Sequence, residues 1–461
     1  MSSTEHSSPS PARDDERSTT DGAAARAGGQ TTLLRGMGGA LLFVFILGDV
    51  LGAGVYALTG TLAGEAGGMT WLPILVALGM ALLTAGSYAE LVTKYPRAGG
   101  AAVFAQRAYR RPLVSFLVGY CMLAAGIVSV AGLAVAFAGD YLAALVPVAV
   151  PVAAPLFLVV VALVNLRGIK ESVRSNVVMT TIEVGGLLAV IGIVAFAVSR
   201  GAGDPSRLTQ APEGTGVAAA VLGAALIAFY SFVGFETSAN VAEEVRDVSR
   251  VYPRALFGAL LTAGAVYLLI ALASSVMLSP AELAETSGPL LAVVEVSGVA
   301  VPGWLFASVA LVAIANGALL TSIMSSRLVY GMAREGLLPP VLGRVLPNRR
   351  TPWVAIVVTT VLSMALAVVG SLQTLAETVV LFLLIVFLST NVAVLVLRRD
   401  AVEHHHFRIP AVVPVLAVVS CLVLLTQQSG TVWLLGGGLL ALGVVIHLVT
   451  RRASRPAPDA V

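Results

Sequence analysis

The chain has 461 residues, of which 57% are apolar and only 11% are charged. Soluble domains carry about 25% charged residues, and a single water-soluble core cannot bury so large an apolar fraction. The composition therefore excludes an ordinary soluble enzyme and indicates a polytopic membrane protein. The net charge of +3 is too small to indicate a nucleic-acid partner.

Residue types that carry catalytic or metal chemistry are scarce and scattered. Cys121 and Cys421 both lie inside apolar runs, which argues against a disulfide framework or a zinc site. His404, His405 and His406 form a histidine run that we expect to be a solvated loop rather than a metal site. Because the sequence shows no nucleophile–base pair, phosphate loop or cofactor fingerprint, it predicts neither an enzyme nor a cofactor.

Residues 1–34 are polar and lack the apolar core of a signal peptide, so we predict a disordered cytoplasmic tail. Twelve apolar runs follow, each about long enough to cross a bilayer as a helix. They cover residues 38–59, 70–92, 112–137, 145–166, 177–198, 217–241, 255–278, 302–331, 352–370, 375–397, 412–427 and 431–450.

The placement of basic residues predicts the topology, because lysine and arginine resist translocation and stay in the cytoplasm. With the N-terminal tail inside and alternating crossings, 26 of the 28 basic residues fall in cytoplasmic segments. Arg200 and Arg207 are the two others. We therefore expect twelve crossings, with both termini in the cytoplasm and a C-terminal tail at 451–461.

Two spans contain features that interrupt a helix. The segment GDVLGAGV at 48–55 puts three glycines and Asp49 in the middle of the first span, and YSFVGFE at 230–236 puts Gly234 and Glu236 at a similar depth in the sixth. Glycine weakens a helix by about 1 kcal/mol and lets backbone groups face a ligand. These spans are equivalent if two five-helix halves repeat, so the pattern favours a transporter substrate site. Close helix packing through glycine is the alternative.

The first span resembles the broken first helix of the amino acid-polyamine-organocation (APC) superfamily, which carries a Gly-x-Gly pair in an apolar helix. Further segments resemble motifs of that family, in the same order and spacing. They are AELVTKYPRAGG at 89–100, FVGFE at 232–236, SRLVYGMAREGLLP at 326–339 and FRIP at 407–410.

The resemblance implies an all-α polytopic membrane protein of the LeuT-like fold. Its twelve transmembrane helices would form two inverted five-helix repeats, with broken helices 1 and 6, plus two peripheral helices. We accordingly expect the first repeat at 36–200, the second at 215–400, and helices 11 and 12 at 409–450.

The resemblance also implies a permease that carries amino acids or related amines by alternating access. A substrate carboxylate and ammonium cannot stay unpaired in a medium of low dielectric constant. Backbone N–H groups at the start of the second half-helix would hold the carboxylate, carbonyl groups would hold the ammonium, and an aromatic ring would close over the substrate. The N–H groups are those of Gly52, Ala53 and Gly54, the carbonyls those of Val50, Tyr230 and Val233, and the ring that of Tyr230 or Phe232.

Three carboxylic acids, Asp49, Glu183 and Glu236, lie inside apolar spans, where charges are costly. Proton-coupled members of the family carry a lysine on helix 5 beside the broken first helix, and Glu183 stands at that place here. We predict that Glu183, facing Asp49, holds an exchangeable proton and that Glu236 takes part in gating or coupling. A neutral, hydrogen-bonded structural Glu183 is the alternative.

Glu90, near a span end, is expected to pair with a nearby arginine or with water.

Coupling to sodium through the hydroxyls of Thr321, Ser322 and Ser325 is an alternative to coupling to protons.

Cationic amino acid transporters of the superfamily carry a glutamate on helix 3, whereas the segment 119–126 has alanine at that place. We therefore expect a neutral amino acid with a small or apolar side chain, taken up across the plasma membrane. An exchanger of amino acids or polyamines, a channel and a transport-inactive sensor are the alternatives.

Overall fold

The computed structural model describes residues 37–51, 54–96, 100–167, 172–212, 216–347, 349 and 351–453. The predicted tail at 1–34, residues 454–461 of the predicted C-terminal tail, and the predicted site residues Gly52 and Ala53 lie outside the described residues. Residues 451–453 continue the last helix. In the described ranges the secondary structure is helical apart from one isolated bridge between Met37 and Val245.

Seventeen α-helices follow one another in the described part of the chain, with three 3₁₀ helices between them. The α-helices are α1 (Gly39–Val50), α2 (Gly54–Ala66), α3 (Trp71–Lys94), α4 (Gly100–Tyr109), α5 (Pro112–Phe137), α6 (Asp140–Ala143), α7 (Val150–Arg167), α8 (Ser172–Ser199), α9 (Val217–Tyr230), α10 (Val248–Met277), α11 (Pro280–Glu285), α12 (Pro289–Val296), α13 (Gly303–Arg334), α14 (Trp353–Val369), α15 (Leu372–Leu397), α16 (Val412–Thr426) and α17 (Gly430–Ala453). The 3₁₀ helices are Pro205–Thr209, Phe235–Glu244 and Pro340–Gly343.

Nine helical segments within the described ranges are long and apolar enough to cross a membrane, and the bent pair α1–α2 makes a tenth. The apolar helices α14 and α16 are shorter, at 17 and 15 residues. Each of the twelve predicted runs therefore overlaps helical structure. The helical, multi-pass architecture is confirmed, and the count of twelve crossings stays a prediction.

Large apolar side chains cover the outer surface of several helices. Leu156 on α7 is 61% exposed and Leu434 on α17 is 81% exposed, and α14 exposes Val361 and Val368 in the same way. A water-soluble monomer rarely exposes so continuous an apolar surface. These side chains fit the hydrocarbon of a bilayer, as the composition predicts.

A buried ion pair joins the ends of α3 and α15. Arg398 Nη2 lies 2.9 Å from Glu90 Oε2, and Arg398 Nε lies 3.1 Å from Glu90 Oε1. The side chain of Glu90 is only 2% exposed, and the backbone N–H of Ile409 donates to the same carboxylate. Arg398 in turn donates to the Ile409 carbonyl, so the pair also holds the segment that leads into α16. The arginine partner expected for Glu90 is present.

We expect Arg398→Ala to lower the melting temperature of the detergent-solubilised protein. The substitution leaves the Glu90 carboxylate buried without its partner, which costs about 3 to 5 kcal/mol in buried pairs. Size-exclusion chromatography after heating measures the change. Arg399→Ala, which removes the exposed neighbouring arginine, is the matched control and should leave the melting temperature unchanged. An Arg398→Ala protein as stable as wild type would show that the ion pair does not hold these ends together.

Candidate functional site

The first span is broken near its middle. The helix α1 ends at Val50, α2 begins at Gly54, and the two helices are bent by 43° relative to each other. A helix leaves its last four carbonyls and its first four N–H groups without partners inside the helix. The break therefore presents acceptors at the end of α1 and donors at the start of α2, as the glycine pattern predicts.

The sixth span is broken at the predicted place. The helix α9 ends at Tyr230, and the chain turns before it continues as the 3₁₀ helix Phe235–Glu244. Gly234, within the turn, has a φ of +124°, which residues with a Cβ rarely adopt. Phe235 anchors the second half, because its ring packs against Tyr88 and Phe387 with centroids 5.7 and 5.4 Å away.

The two breaks lie directly against each other. A Cβ atom added to Gly234 would lie 2.7 Å from the carbonyl oxygen of Asp49, and one added to Gly54 would lie 3.0 Å from the Cα of Ser231. Glycine at these two positions therefore allows the interrupted backbones to approach closely.

A tyrosine hydroxyl from α10 lies between the two breaks. Tyr267 Oη is 2.5 Å from the Val50 carbonyl oxygen and 3.0 Å from the Ser231 carbonyl oxygen. Phe232 packs edge-on against the same tyrosine ring, with centroids 5.3 Å apart. Both backbone interruptions thus share one hydrogen-bond donor.

A cavity of about 640 Å³ lies between the breaks and the helices α5, α13 and α15. This volume is within the range of small-molecule sites. At one end it is lined by the exposed Asn240 and Arg327, and at the other by the buried Leu133 and Val379. The lining residue Gly100 belongs to the basic segment 94–111, and Arg327 belongs to the basic segment 327–350. The cavity therefore opens towards the end of the molecule that carries these two segments.

The cavity brings most of the predicted site residues together. Glu183 and Phe232 are fully buried and are not among the lining residues of the cavity. Glu183 instead lies on α8, where α8 packs against α1 and Thr180 faces Gly48. The predicted site residues that line the cavity are Asp49, Val50, Gly54, Tyr230, Val233 and Glu236.

The three membrane-embedded acids have different surroundings. Asp49 accepts a hydrogen bond from Thr237, and Glu236 Oε2 accepts one from the backbone N–H of Gly234 at 2.9 Å. Both carboxyl oxygens of Glu183 are buried and have no hydrogen-bond partner among the described residues. Glu183 interacts electrostatically with Asp49. A carboxyl without partners is costly to bury as an anion, so Glu183 is the acid with the least compensated charge.

Two of the three predicted ammonium acceptors already have hydrogen-bond partners in this conformation. The Val50 carbonyl faces the Tyr267 hydroxyl, and the Tyr230 carbonyl accepts from the Val233 N–H at 3.1 Å. A carbonyl oxygen has two lone pairs, so each can accept a further hydrogen bond.

Three hydroxyl residues of the site were not predicted from the sequence. Thr237 contacts Asp49, Tyr267 bridges the breaks, and Ser129 Oγ lies 3.1 Å from the Tyr230 hydroxyl across the cavity. Each is a polar residue inside an apolar run, which is the signal that identified the acids. Hydroxyls give a weaker signal, because in a helix they often bond to their own backbone.

The hydroxyls considered for a sodium site do not converge on the first span. Ser322 Oγ accepts from the side chain of Asn165 on α7, and Ser325 donates to the Thr321 carbonyl at 2.8 Å. Of the three residues, Thr321 lines the cavity. Across the described residues there is no group of three or more His, Cys, Asp and Glu placed to hold a metal ion.

Comparison with known proteins is consistent with this geometry. The profile of a family described as amino acid permease matches residues 40–438. This range covers both breaks and every cavity-lining residue except Met37.

Relatives match over most of the chain. The branched-chain amino acid permease BcaP of Bacillus subtilis is 28% identical over 93% of this chain and 95% of its own length. An uncharacterized transporter of Mycobacterium tuberculosis is 33% identical over 88% of this chain and 90% of its own. The low-affinity putrescine importer PlaP of Escherichia coli is 31% identical over 59% of this chain and 61% of its own.

We expect Gly234→Ala to destabilise the protein. The added Cβ would press on the Asp49 carbonyl, and alanine at this positive φ is strained by about 1 to 3 kcal/mol. The melting temperature in detergent should fall. Gly223→Ala on α9, where an added Cβ has nothing within 4 Å, is the matched control and should not lower it. Equal melting temperatures for the two variants would contradict the close approach of the breaks.

Proposed function

Because the chain belongs to the amino acid permease family, we propose that it is a secondary active transporter that takes up neutral amino acids together with protons by alternating access. The observation that carries the proposal is the cavity formed where two broken helices meet. A transporter substrate site has this construction, because half-helix ends supply donors and acceptors for both charged groups of an amino acid.

The ends of the half-helices complement the common part of an amino acid. In the proposed site, the N–H groups of Gly52, Ala53 and Gly54 bind the carboxylate at the positive end of α2. The carbonyls of Val50, Tyr230 and Val233 accept from the ammonium. Val50, Gly54, Tyr230 and Val233 line the cavity, which supports this assignment for the described members of the set.

The surroundings of the substrate side chain favour a neutral amino acid. Away from the breaks the cavity is lined by apolar groups, including Met122, Leu133, Leu320 and Val379. The residues of α5 that line this part of the cavity, Met122, Ala125 and Gly126, carry no carboxylate. BcaP, whose name states a branched-chain amino acid substrate, supports the same class.

A diamine or cationic substrate is the alternative, and two observations favour it. The carboxyls of Asp49 and Glu236 both belong to cavity-lining residues, and a cationic group buried in this medium needs a counter-charge. PlaP is named as a putrescine importer.

The cavity is open at one end and closed at the other, as expected for one state of the proposed alternating-access cycle. It opens towards the basic loops, which we place in the cytoplasm together with both termini, in the cell membrane. At the closed end Tyr230 is hydrogen bonded to Ser129, so we assign the lid to Tyr230. Phe232 packs against Tyr267 instead. We further propose that the twelve apolar segments form two inverted repeats of five helices and two peripheral helices, since the breaks fall in the first and sixth segments.

We assign proton coupling to Asp49, Glu183 and Glu236. Glu183 has no described hydrogen-bond partner for either carboxyl oxygen and interacts with Asp49, which contacts the sixth span through Thr237. A proton shared between Glu183 and Asp49 therefore lies next to both breaks. Sodium coupling has less support, because Ser322 and Ser325 bond to groups other than the first span.

Counterflow in proteoliposomes tests the transport function. Vesicles loaded with unlabelled amino acid should accumulate external radiolabelled amino acid by exchange, and the accumulation should saturate. Across the twenty amino acids we expect leucine and alanine to exceed lysine, because the side-chain region lacks a carboxylate. Lysine or putrescine exchanging faster than leucine would favour the cationic alternative. No counterflow with any of them, despite binding, would identify a sensor.

Uptake driven by a pH gradient tests the coupling. In wild type we expect uptake to fall as the external pH rises, by about tenfold per pH unit at most, because one protonated group limits it. Glu183→Gln cannot exchange a proton and should give uptake independent of pH while counterflow continues. Glu285→Gln, an exposed glutamate on α11, is the control and should behave as wild type. An unchanged pH dependence in Glu183→Gln would remove Glu183 from the mechanism.

A further inference from the structure

Thr237 lies where the sixth span meets the first and faces two hydrogen-bond acceptors. Its Oγ1 is within hydrogen-bond distance of Asp49 Oδ2, and it lies 2.8 Å from the Gly234 carbonyl oxygen. A hydroxyl has one proton to donate but can also accept. A single Thr237 proton shared between both acceptors makes two weakened hydrogen bonds, so both contacts are full hydrogen bonds at the same time when Asp49 carries a proton and donates it to Thr237.

The charge on Asp49 therefore decides where the Thr237 proton points. When Asp49 is protonated, it donates to Thr237, and Thr237 donates to the Gly234 carbonyl. When Asp49 is ionised, its carboxylate is the stronger acceptor, and the Thr237 proton turns to it. The Gly234 carbonyl then keeps only the bond from the backbone N–H of Thr237, at 3.0 Å, and its second lone pair becomes free.

Both Asp49 and Gly234 line the cavity, so this change reaches the substrate site. A substrate ammonium needs carbonyl acceptors and a counter-charge in this medium. The ionised arrangement offers both a free Gly234 lone pair and the Asp49 carboxylate, whereas the protonated arrangement offers neither.

We propose that Thr237 is a positioning residue that makes a proton on Asp49 and a substrate ammonium at the Gly234 carbonyl mutually exclusive. The proposal rests on the proposed transport function and adds to it a named link between the proton and the substrate. Because a proton on Asp49 and the bound substrate exclude each other, the co-transported proton resides on Glu183 while the substrate is bound, and Glu183 interacts electrostatically with Asp49. The arrival of that proton at Asp49 in this open cavity promotes release of the substrate on the side of the basic loops.

The titratable groups that face Asp49 come from three packed elements. Glu183 on α8 and Glu236 on the 3₁₀ helix both interact with it electrostatically, and α10 contributes the hydroxyl of Tyr267 next to Val50. The Glu236 carboxylate accepts from the Gly234 N–H rather than from the Thr237 hydroxyl. The Thr237 side chain joins the Asp49 carboxyl to the carbonyl of Gly234, a cavity-lining residue.

Binding to the purified full-length protein in detergent tests the link. The probe is the tightest binder among the twenty amino acids, each radiolabelled, and its Kd is measured from pH 5 to pH 8. In wild type we expect the Kd to fall as the pH rises, by about tenfold per pH unit at most. Thr237→Val, which keeps the shape and removes the hydroxyl, should weaken this dependence, leaving only the part due to the charge of Asp49 itself. Thr237→Ser should retain it, and so should the control Thr262→Val, which removes an exposed hydroxyl on α10.

A second measurement needs no variant. Titration calorimetry of wild type in two buffers of different ionisation enthalpy should show protons released as the amino acid binds. No proton release, a wild-type pH dependence in Thr237→Val, or a flat profile in Thr237→Ser would each overturn the link while leaving the transport function intact. If none of the twenty amino acids binds, both proposals fail. Binding without counterflow overturns transport alone.

Discussion

The hydroxyl of Tyr267, placed between the carbonyls of Val50 and Ser231, is the contact on which the rest of the site depends. A span broken inside a bilayer leaves polar backbone groups where no water can reach them, and each unsatisfied group costs several kcal/mol. In the sixth span, short-range bonds such as that from the Val233 N–H to the Tyr230 carbonyl satisfy part of the requirement. Tyr267 contributes the donor that both breaks share, so each interruption is stabilised by the presence of the other.

Packing against α15 and α3 holds the two breaks in place. Phe235, the first residue after the turn, stacks against Phe387 on α15, and the Glu90–Arg398 pair ties the end of that helix to α3. The polar groups that line the cavity come from the breaks, from a few hydroxyls, and from the side chains of Asp49, Glu236, Asn240, Glu244 and Arg327. Backbone recognition suits a substrate family that shares a carboxylate and an ammonium, because the common groups need no dedicated charged side chain, and the apolar lining is left to discriminate among side chains.

The three acids at the site differ in the hydrogen-bond partners of their carboxyl groups. Glu236 accepts from a backbone N–H, Asp49 shares the hydroxyl of Thr237, and Glu183 has no described hydrogen-bond partner. A proton therefore binds with a different affinity at each of the three acids. The proposed coupling needs no movement of the acids themselves, only a change in which groups their neighbours bond to.

The amino-acid sequence by itself determined the helical, membrane-embedded architecture and the positions of both breaks, because apolar length and mid-span glycine are local signals. It also identified six residues that line the cavity, from Asp49 to Glu236. It did not find Thr237, Ser129 or Tyr267, whose roles depend on partners up to 217 positions away in the chain. Nor did it separate Tyr230, which lines the cavity, from Phe232, which is not a lining residue and packs against Tyr267. Only the tertiary structure decided these points, since a hydroxyl or an aromatic ring in an apolar helix has no fixed role until a neighbouring helix supplies its partner.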